Sequence, residues 1–361
     1  MVLTAFAHTG GIEKFNRALM FALSRHSQKK RLQLSFAGMY DAAADVQYTG
    51  SLAFDAGKGK RLLFVLRQLL RAFRSNELLL GHLNLAPVAL AFKALQPHKR
   101  LTVVCHGIEV FAPLRGIKKM TLQKADRILA VSRFTRHKLV ELQGIPQEKI
   151  TVFPNTLDPF FVLPQGFDKP HYLRQRYQLD DAVPLLFTLT RLNSAEGYKG
   201  YDVVLQALAL LREEGRTFTY LLAGKADEKE HRRIAELIND LGLAQQVLMP
   251  GFIADAEITD HYLLADVYVM PSKGEGFGIV YIEAMACGLP VIAGNKDGST
   301  EALQFGQLGT LVDPDDVKAV AAAIRNVLEQ PRHPEQIQAR MLEHFSFARF
   351  EERVGEVFGA H

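Results

Sequence analysis

The stretch Val267-Tyr-Val-Met-Pro-Ser-Lys-Gly-Glu-Gly-Phe-Gly-Ile-Val-Tyr-Ile-Glu-Ala-Met-Ala-Cys-Gly-Leu-Pro-Val-Ile-Ala293 reads as strand, turn, helix and strand in succession. Val267–Met270 is an apolar run that ends at Pro271. Gly274, Gly276 and Gly278 make the next segment a turn, and a helical pattern runs over Gly278–Ala286. Pro290–Ala293 is the next apolar run. Short apolar runs bounded by turn residues and joined by helices are the signature of a buried parallel sheet. In such sheets ligands gather at the carboxyl ends of strands. Glycines let a ligand approach the backbone, and free N–H groups at a helix start favour phosphate. Glu275 lies in the turn and Glu283 lies more than one turn into the helix. Two carboxylates so placed grip hydroxyls at two points along one ligand. The competing reading is a solvated turn followed by a helical glutamate.

The same alternation extends in both directions. Upstream, Val2–Ala7, Gln33–Ala37, Glu77–Leu80, Leu101–Cys105, Arg127–Val131 and Ile150–Phe153 read as strands with helices between most of them. A stretch containing Pro154, Pro159, Pro164 and Pro170 reads as a linker. The pattern then restarts with strands at Pro184–Thr190, Thr219–Ala223 and Gln246–Met249. Helices are expected over Tyr201–Glu214, Glu228–Leu241 and Asp316–Glu329. The expected fold is α/β, with two Rossmann-like doubly wound parallel-sheet domains, the first over residues 1–165. A last helical pattern, Pro334–Phe358, carries Phe345, Phe347, Phe350 and Phe358, which need a buried surface.

A length of 361 residues fits two domains. With 48% apolar and 23% charged residues, disordered and fibrous classes are excluded. Cys105 and Cys287 are too few for a disulfide framework or a cysteine-based zinc module. The net charge of +4 conceals an asymmetry. Residues 1–165 hold 24 Lys+Arg and 10 Asp+Glu, whereas the remainder hold 19 and 29. The first half is therefore suited to an anionic partner, whether membrane surface, nucleic acid or phosphorylated substrate. Within it, Lys58–Ser75 sets Arg67, Arg71 and Arg74 on one helical face and Leu and Phe on the other. That segment reads either as an interfacial helix on anionic lipid or as a domain helix with a basic solvent face. Lys29-Lys30-Arg31 and Lys118-Lys119 add to the basic half. No signal-peptide pattern and no membrane-spanning run occur, so a cytoplasmic location is expected, with peripheral membrane contact.

Three further segments follow strands. Arg191 and Lys199 flank the loop after Leu185–Thr190, where cations neutralise a diphosphate or form surface ion pairs. His106 follows Leu101–Cys105 and precedes Gly107. It is suited to proton relay or phosphate contact, or to a structural hydrogen bond. Cys105 points to the opposite face of its strand, so a Cys–His dyad is not expected. Gly10-Gly11 opens a helix after the first strand but lacks the dinucleotide fingerprint. Asp313-Pro-Asp315 precedes a helix and reads as a cap rather than a metal pair. No metal and no cofactor are expected.

The order of these motifs resembles the retaining GT-B glycosyltransferases of the group-1, family-4 class. The likeness runs through Gly10-Gly11-Ile-Glu13, His106-Gly107, Ala125-Asp126 to Ser132, and Pro154-Asn155. It continues through Arg191, Lys199-Gly200, Pro250-Gly-Phe252, the two glutamates Glu275 and Glu283, Gly298-Ser-Thr-Glu301 and Phe345–Phe350. The resemblance implies a nucleoside-diphosphate sugar as co-substrate, bound mainly by the second domain. It assigns Arg191 and Lys199 to the diphosphate, with Glu275, Phe277 and Gly278 on the transferred sugar. Ile279 and Val280 would give N–H groups to phosphate, and Glu283 would hold the ribose. Gly11 would approach the diphosphate, His106 would lie near the reacting sugar, and Phe252–Ile253 would border the base. One departure is Gly197, where related sequences often carry a basic residue.

The resemblance also implies that residues 340–361 cross back onto the first domain, leaving 166–339 as the donor domain. The expected reaction moves a hexose, from a UDP-sugar or GDP-mannose, to a lipid-linked or polysaccharide-precursor acceptor. A soluble sugar-phosphate acceptor is the alternative. A nucleic-acid binder would use the basic half, but no recognition motif for one is present.

Overall fold

The computed structural model describes residues 1–30 and 33–359. Arg31 of the basic cluster lies outside them. The chain divides into two compact units, Met1–Phe161 with Phe345–His361, and Val162–His344.

In the first unit β1 (Ser35–Gly38) pairs in parallel with β2 (Ala53–Ala56). A second parallel group has the order β3 (Glu77–Leu80), β4 (Arg100–Cys105), β5 (Arg127–Ala130) and β6 (Ile150–Val152). The first residues of the chain join the two groups. Val2 N–H donates to Ala37, Met39 N–H donates to Val2, and Gly81 N–H donates to Met1 on the other side. The expected strand Val2–Ala7 is thus reduced to a bridge at Val2. The cause is Asp41, which is fully buried. Its carboxylate accepts from Thr4 Oγ1 at 2.8 Å and from the N–H groups of Ala5, Phe6 and Ala7 at 2.9–3.0 Å. Amides spent on one carboxylate are lost to a sheet ladder.

The core beneath this sheet includes Leu101, Val103, Cys105, Ile128 and Ala130. Cys105 therefore sits in the core, away from His106. Helix Phe347–Phe358 packs on helix Gly11–Lys30 of the same unit. The Phe350 ring lies 5.0 Å from Phe153 and 5.8 Å from Phe15, edge-on to both. The expected single helix over Pro334–Phe358 is in fact two. Ser346 is extended, and the Phe345 carbonyl accepts from Thr156 Oγ1 and Leu157 N–H.

The basic amphipathic segment forms helix Arg61–Ala72. Its orientation departs from the solvent-facing basic stripe. Asp55 on β2 is buried, with Arg67 at 3.1 Å, Arg71 at 3.0 Å and Gln68 Nε2 at 2.5 Å. Arg67 and Arg71 reach down to Asp55 while remaining partly exposed, and Leu62, Leu66 and Leu70 are exposed.

The second unit has one six-stranded parallel sheet. Its strands are β7 (Leu185–Leu189), β8 (Thr219–Ala223), β9 (Val247–Gly251), β10 (Val267–Met270), β11 (Val291–Gly294) and β12 (Thr310–Val312). The order is β12-β11-β10-β7-β8-β9, so the strand progression reverses between β7 and β10. β2 and β12 do not stand out in the sequence as strands, and β2 carries the charged Asp55 within its four residues. Five buried tyrosines, Tyr201, Tyr220, Tyr262, Tyr268 and Tyr281, fill space around this sheet.

Replacing Asp41 leaves the Ala5 and Phe6 amides and the Thr4 hydroxyl without their acceptor, and leaves Ala7 N–H only the Thr4 hydroxyl. Asp41→Ala is expected to destabilise the protein by about 3 kcal/mol or more. Urea denaturation of the variant measures this, and a loss near zero would contradict the assignment.

Candidate functional site

In a doubly wound sheet the two loops that leave the reversal point diverge, and a crevice opens between them at the carboxyl edge. Here those loops follow β7 and β10 and carry Arg191–Gly200 and Pro271–Gly278. They are fastened to each other. Lys273 N–H and Ser272 Oγ donate to the Tyr198 carbonyl at 2.9 and 3.1 Å. Gly200 has φ +82°, and a Cβ there would meet the Pro271 carbonyl oxygen at 2.2 Å. Only glycine lets the two backbones approach this closely.

The clamp brings Lys199 and Glu275 together. Lys199 Nζ contacts Glu275 Oε1 directly and lies 3.8 Å from Glu196 Oε2. Arg191 Nη2 lies 2.9 Å from Glu196 Oε1. Cation and anion thus alternate along Arg191, Glu196, Lys199 and Glu275. Lys199 is buried, whereas Arg191 projects into solvent. Glu196 lies in the loop between the two cations, and the sequence alone assigns it no role. A Cβ on Gly197 would meet nothing within 4 Å.

Helix Ile279–Ala286 starts beside Glu275. Its cap, Gly278, has φ +89° and supplies no side-chain hydrogen bond. The start of the helix therefore presents its positive end without a side-chain acceptor. Phe277 is buried at this start. Glu283 is fully buried on the same helix and accepts from Tyr262 Oη at 3.3 Å, apart from the ion chain. Phe252 is exposed and Ile253 is buried.

Asp297, which sequence reading did not single out, sets the Glu275 loop. Its carboxylate accepts from Glu275 N–H at 2.7 Å and Ser299 N–H at 2.9 Å. Gly298 N–H in turn donates to the Glu275 carbonyl. Burial raises the Asp297 pKa to about 6, and the nearby Glu275 charge adds to the rise. The available signal was an Asp two residues before a helix start that follows a strand. Asp313 and Asp315 pair with Lys296 at 2.6 and 2.8 Å, while the cap of helix Val317–Glu329 is Asp316.

In the first unit the strand progression reverses between the Val2 bridge and β3. Gly10-Gly11 and Gly81-His82 leave the sheet there. His106 follows neighbouring β4, and its Nε2 donates to the Gly81 carbonyl at 2.8 Å. Burial lowers its pKa to about 4, so the ring is neutral at pH 7. With Nε2 protonated, Nδ1 is left as an acceptor. Phe15 packs edge-on to the ring at 5.1 Å, and His82 lies 6.0 Å away. His82 is likewise lowered to about 4 by burial and by His106. The sequence signal for His82 is a His-containing turn, Gly81-His82, at the carboxyl end of Glu77–Leu80. Gly11 is the first residue of helix Gly11–Lys30.

Two family models match these units. One, Glycosyltransferase Family 4, covers residues 9–160, and the other, Glycosyl transferases group 1, covers residues 173–343. The chain belongs to the group-1, family-4 glycosyltransferases. Among curated relatives of this chain is the GDP-mannose-dependent alpha-(1-6)-phosphatidylinositol monomannoside mannosyltransferase of Mycolicibacterium smegmatis. It is 32% identical over 65% of this chain and 62% of its own length. The D-inositol 3-phosphate glycosyltransferase of Thermobispora bispora is 30% identical over 67% of this chain and 57% of its own. The chain thus spans less than two thirds of either relative. A crystal structure of Anabaena HepE in complex with UDP and glucose has a TM-score of 0.77 at 20% identity. That match covers 100% of this chain and 99% of the other. The likeness is one of fold, GT-B.

A buried carboxyl with a raised pKa gives stability a definite pH slope. Between about pH 4 and 6 the folded state holds a proton at Asp297 that the unfolded state has lost. This group's contribution is therefore present below pH 4 and lost as pH rises through 6. Relative to wild type, Asp297→Asn is expected to gain up to about 3 kcal/mol from pH 4 to 7, whatever its constant offset. Paired melting curves across that range test it, and a flat difference would refute the assignment.

Proposed function

We propose that this chain is a retaining, metal-independent hexosyltransferase. It moves a hexose from a nucleoside-diphosphate sugar to a lipid-linked or glycolipid acceptor. The observation that carries the donor side is the contact of Lys199 with Glu275 at the strand reversal, beside a helix start without a side-chain cap. Cleaving the sugar–phosphate bond builds positive charge on the sugar and negative charge on the departing diphosphate. Lys199 and Arg191 offset the negative charge, and the N–H groups of Ile279 and Val280 add donors. Glu275 holds the sugar hydroxyls with Phe277 and Gly278 backbone groups, and Glu283 serves the ribose. Glu196 releases both cations when the diphosphate arrives.

In the first unit His106 acts as a neutral imidazole. Its Nδ1 accepts from a sugar hydroxyl, and Gly11 gives close backbone approach to phosphate. No glutamate serves as a general base, because the leaving phosphate assists attack on the same face. The M. smegmatis relative, named for GDP-mannose and a phosphatidylinositol acceptor, supports a guanosine donor and a lipid acceptor. The T. bispora relative, named for inositol 3-phosphate, supports the second reading, a soluble phosphorylated acceptor. No described helix is long and apolar enough to cross a membrane. Any membrane contact of the described residues is therefore peripheral in this reading.

A thermal-shift screen of GDP and UDP, followed by hydrolysis of matching sugar nucleotides, identifies the donor. Glu275→Ala and Lys199→Ala are each expected to lower transfer by about 100-fold or more while the fold persists. Near-wild-type rates in both variants would overturn the donor site. Activity is also expected to survive EDTA. A loss that Mg²⁺ restores would disprove metal independence.

A further inference from the structure

We propose that helix Arg61–Ala72 is the element by which the first unit lies on an anionic phospholipid bilayer, inserting its leucines rather than presenting its arginines. Leu62 is 83% exposed, Leu70 70% and Leu66 60%, at a spacing of four residues that forms one ridge. Phe73 and Leu63 are each about half exposed and extend it. Isolated exposed leucines are ordinary, but a contiguous ridge of five large apolar side chains marks a contact surface.

The orientation is built in. Asp55 draws Arg67 and Arg71 against β2, and Gln68 is buried with them, so the opposite face must point outward.

The charge around the ridge selects the occupant. Residues 56–76 contain six Lys and Arg and no Asp or Glu. Lys58, Lys60 and Arg61 stand exposed at one end of the ridge and Arg74 at the other. Cations at both ends of an apolar ridge suit a helix lying in the plane of the headgroups, where long basic side chains reach phosphate. The helix start adds a second argument. Its cap is Lys60, which makes no side-chain capping bond, and its first turn carries no acid. Positive charge at the positive end of a helix is unfavourable in water and is relieved by an anion.

Helix Arg61–Ala72 follows β2, and the first unit's pairings are parallel. The helix therefore begins on the same sheet edge that carries Gly10-Gly11 and His106. A bilayer under the ridge puts that edge near lipid headgroups. The inference deepens the lipid-acceptor reading, on which only its purpose rests.

The test measures binding without any substrate. Wild-type protein is sedimented with vesicles of phosphatidylcholine alone or mixed equally with phosphatidylglycerol. Binding to the anionic vesicles alone is expected, weakening with salt. The triple variant Leu62→Ser, Leu66→Ser, Leu70→Ser is expected to lose partitioning about tenfold or more. The sequence contains no tryptophan, so Leu66→Trp is a single reporter of the ridge. Its emission is expected to shift blue and to be quenched by brominated lipid. Wild-type protein that ignores both vesicles, a triple variant that binds as wild type does, or an unquenched reporter would each overturn the proposal. So would a wild-type dimer in light scattering that the triple variant turns into a monomer, because a second copy would then cover the ridge. Intact vesicle binding with no transfer to any acceptor would refute the function instead, and leave this surface standing.

Discussion

Everything assigned to the second unit depends on one contact, the ion pair between Lys199 and Glu275. It exists because two loops that leave adjacent parallel strands are stitched together at the strand reversal. The Tyr198 carbonyl accepts from both Ser272 and Lys273, and Gly200 lies against the Pro271 backbone. Asp297 fixes the Glu275 amide from the far side. The pair combines one charge suited to phosphate with one suited to sugar hydroxyls. Both are pre-oriented before a ligand arrives, which is the condition for electrostatic assistance without reorganisation.

The sheets were legible because parallel strands buried on both faces are continuous apolar runs. Glu77–Leu80, Thr219–Ala223 and Val267–Met270 match the structure residue for residue. What escaped were elements held by polar groups. The strand expected over Val2–Ala7 gives way to the Asp41 carboxylate. Ser346 breaks the last helix because the Phe345 carbonyl is taken by residues that lie far away in sequence. Such contacts leave no periodicity to read.

The candidate site shows the same division. Arg191, Lys199 and Glu275 stood out as charges in loops after strands. Asp297 and His82 did not, because their roles depend on which loops the topology brings together. Glu196 carries no motif of its own, and only the folded loop sets its carboxylate between two cations. The amphipathic helix illustrates a further limit. Its sequence separates leucine from arginine cleanly, yet only buried Asp55 decides which stripe faces the sheet. A helical wheel has no inside until a partner is named.

The first unit is completed by helix Phe347–Phe358, whose Phe350 sits between Phe15 and Phe153. The second unit is one uninterrupted stretch of chain. These facts impose an order of assembly. During synthesis the second unit has all its residues while the first still lacks a wall of its core. The earlier-made half must wait, with apolar surface around Phe15 uncovered, for the later-made half to pass. Contacts closed over more than 300 residues are slow to find. A nascent chain stalled before Phe347 is therefore exposed to chaperones at its beginning and not at its end.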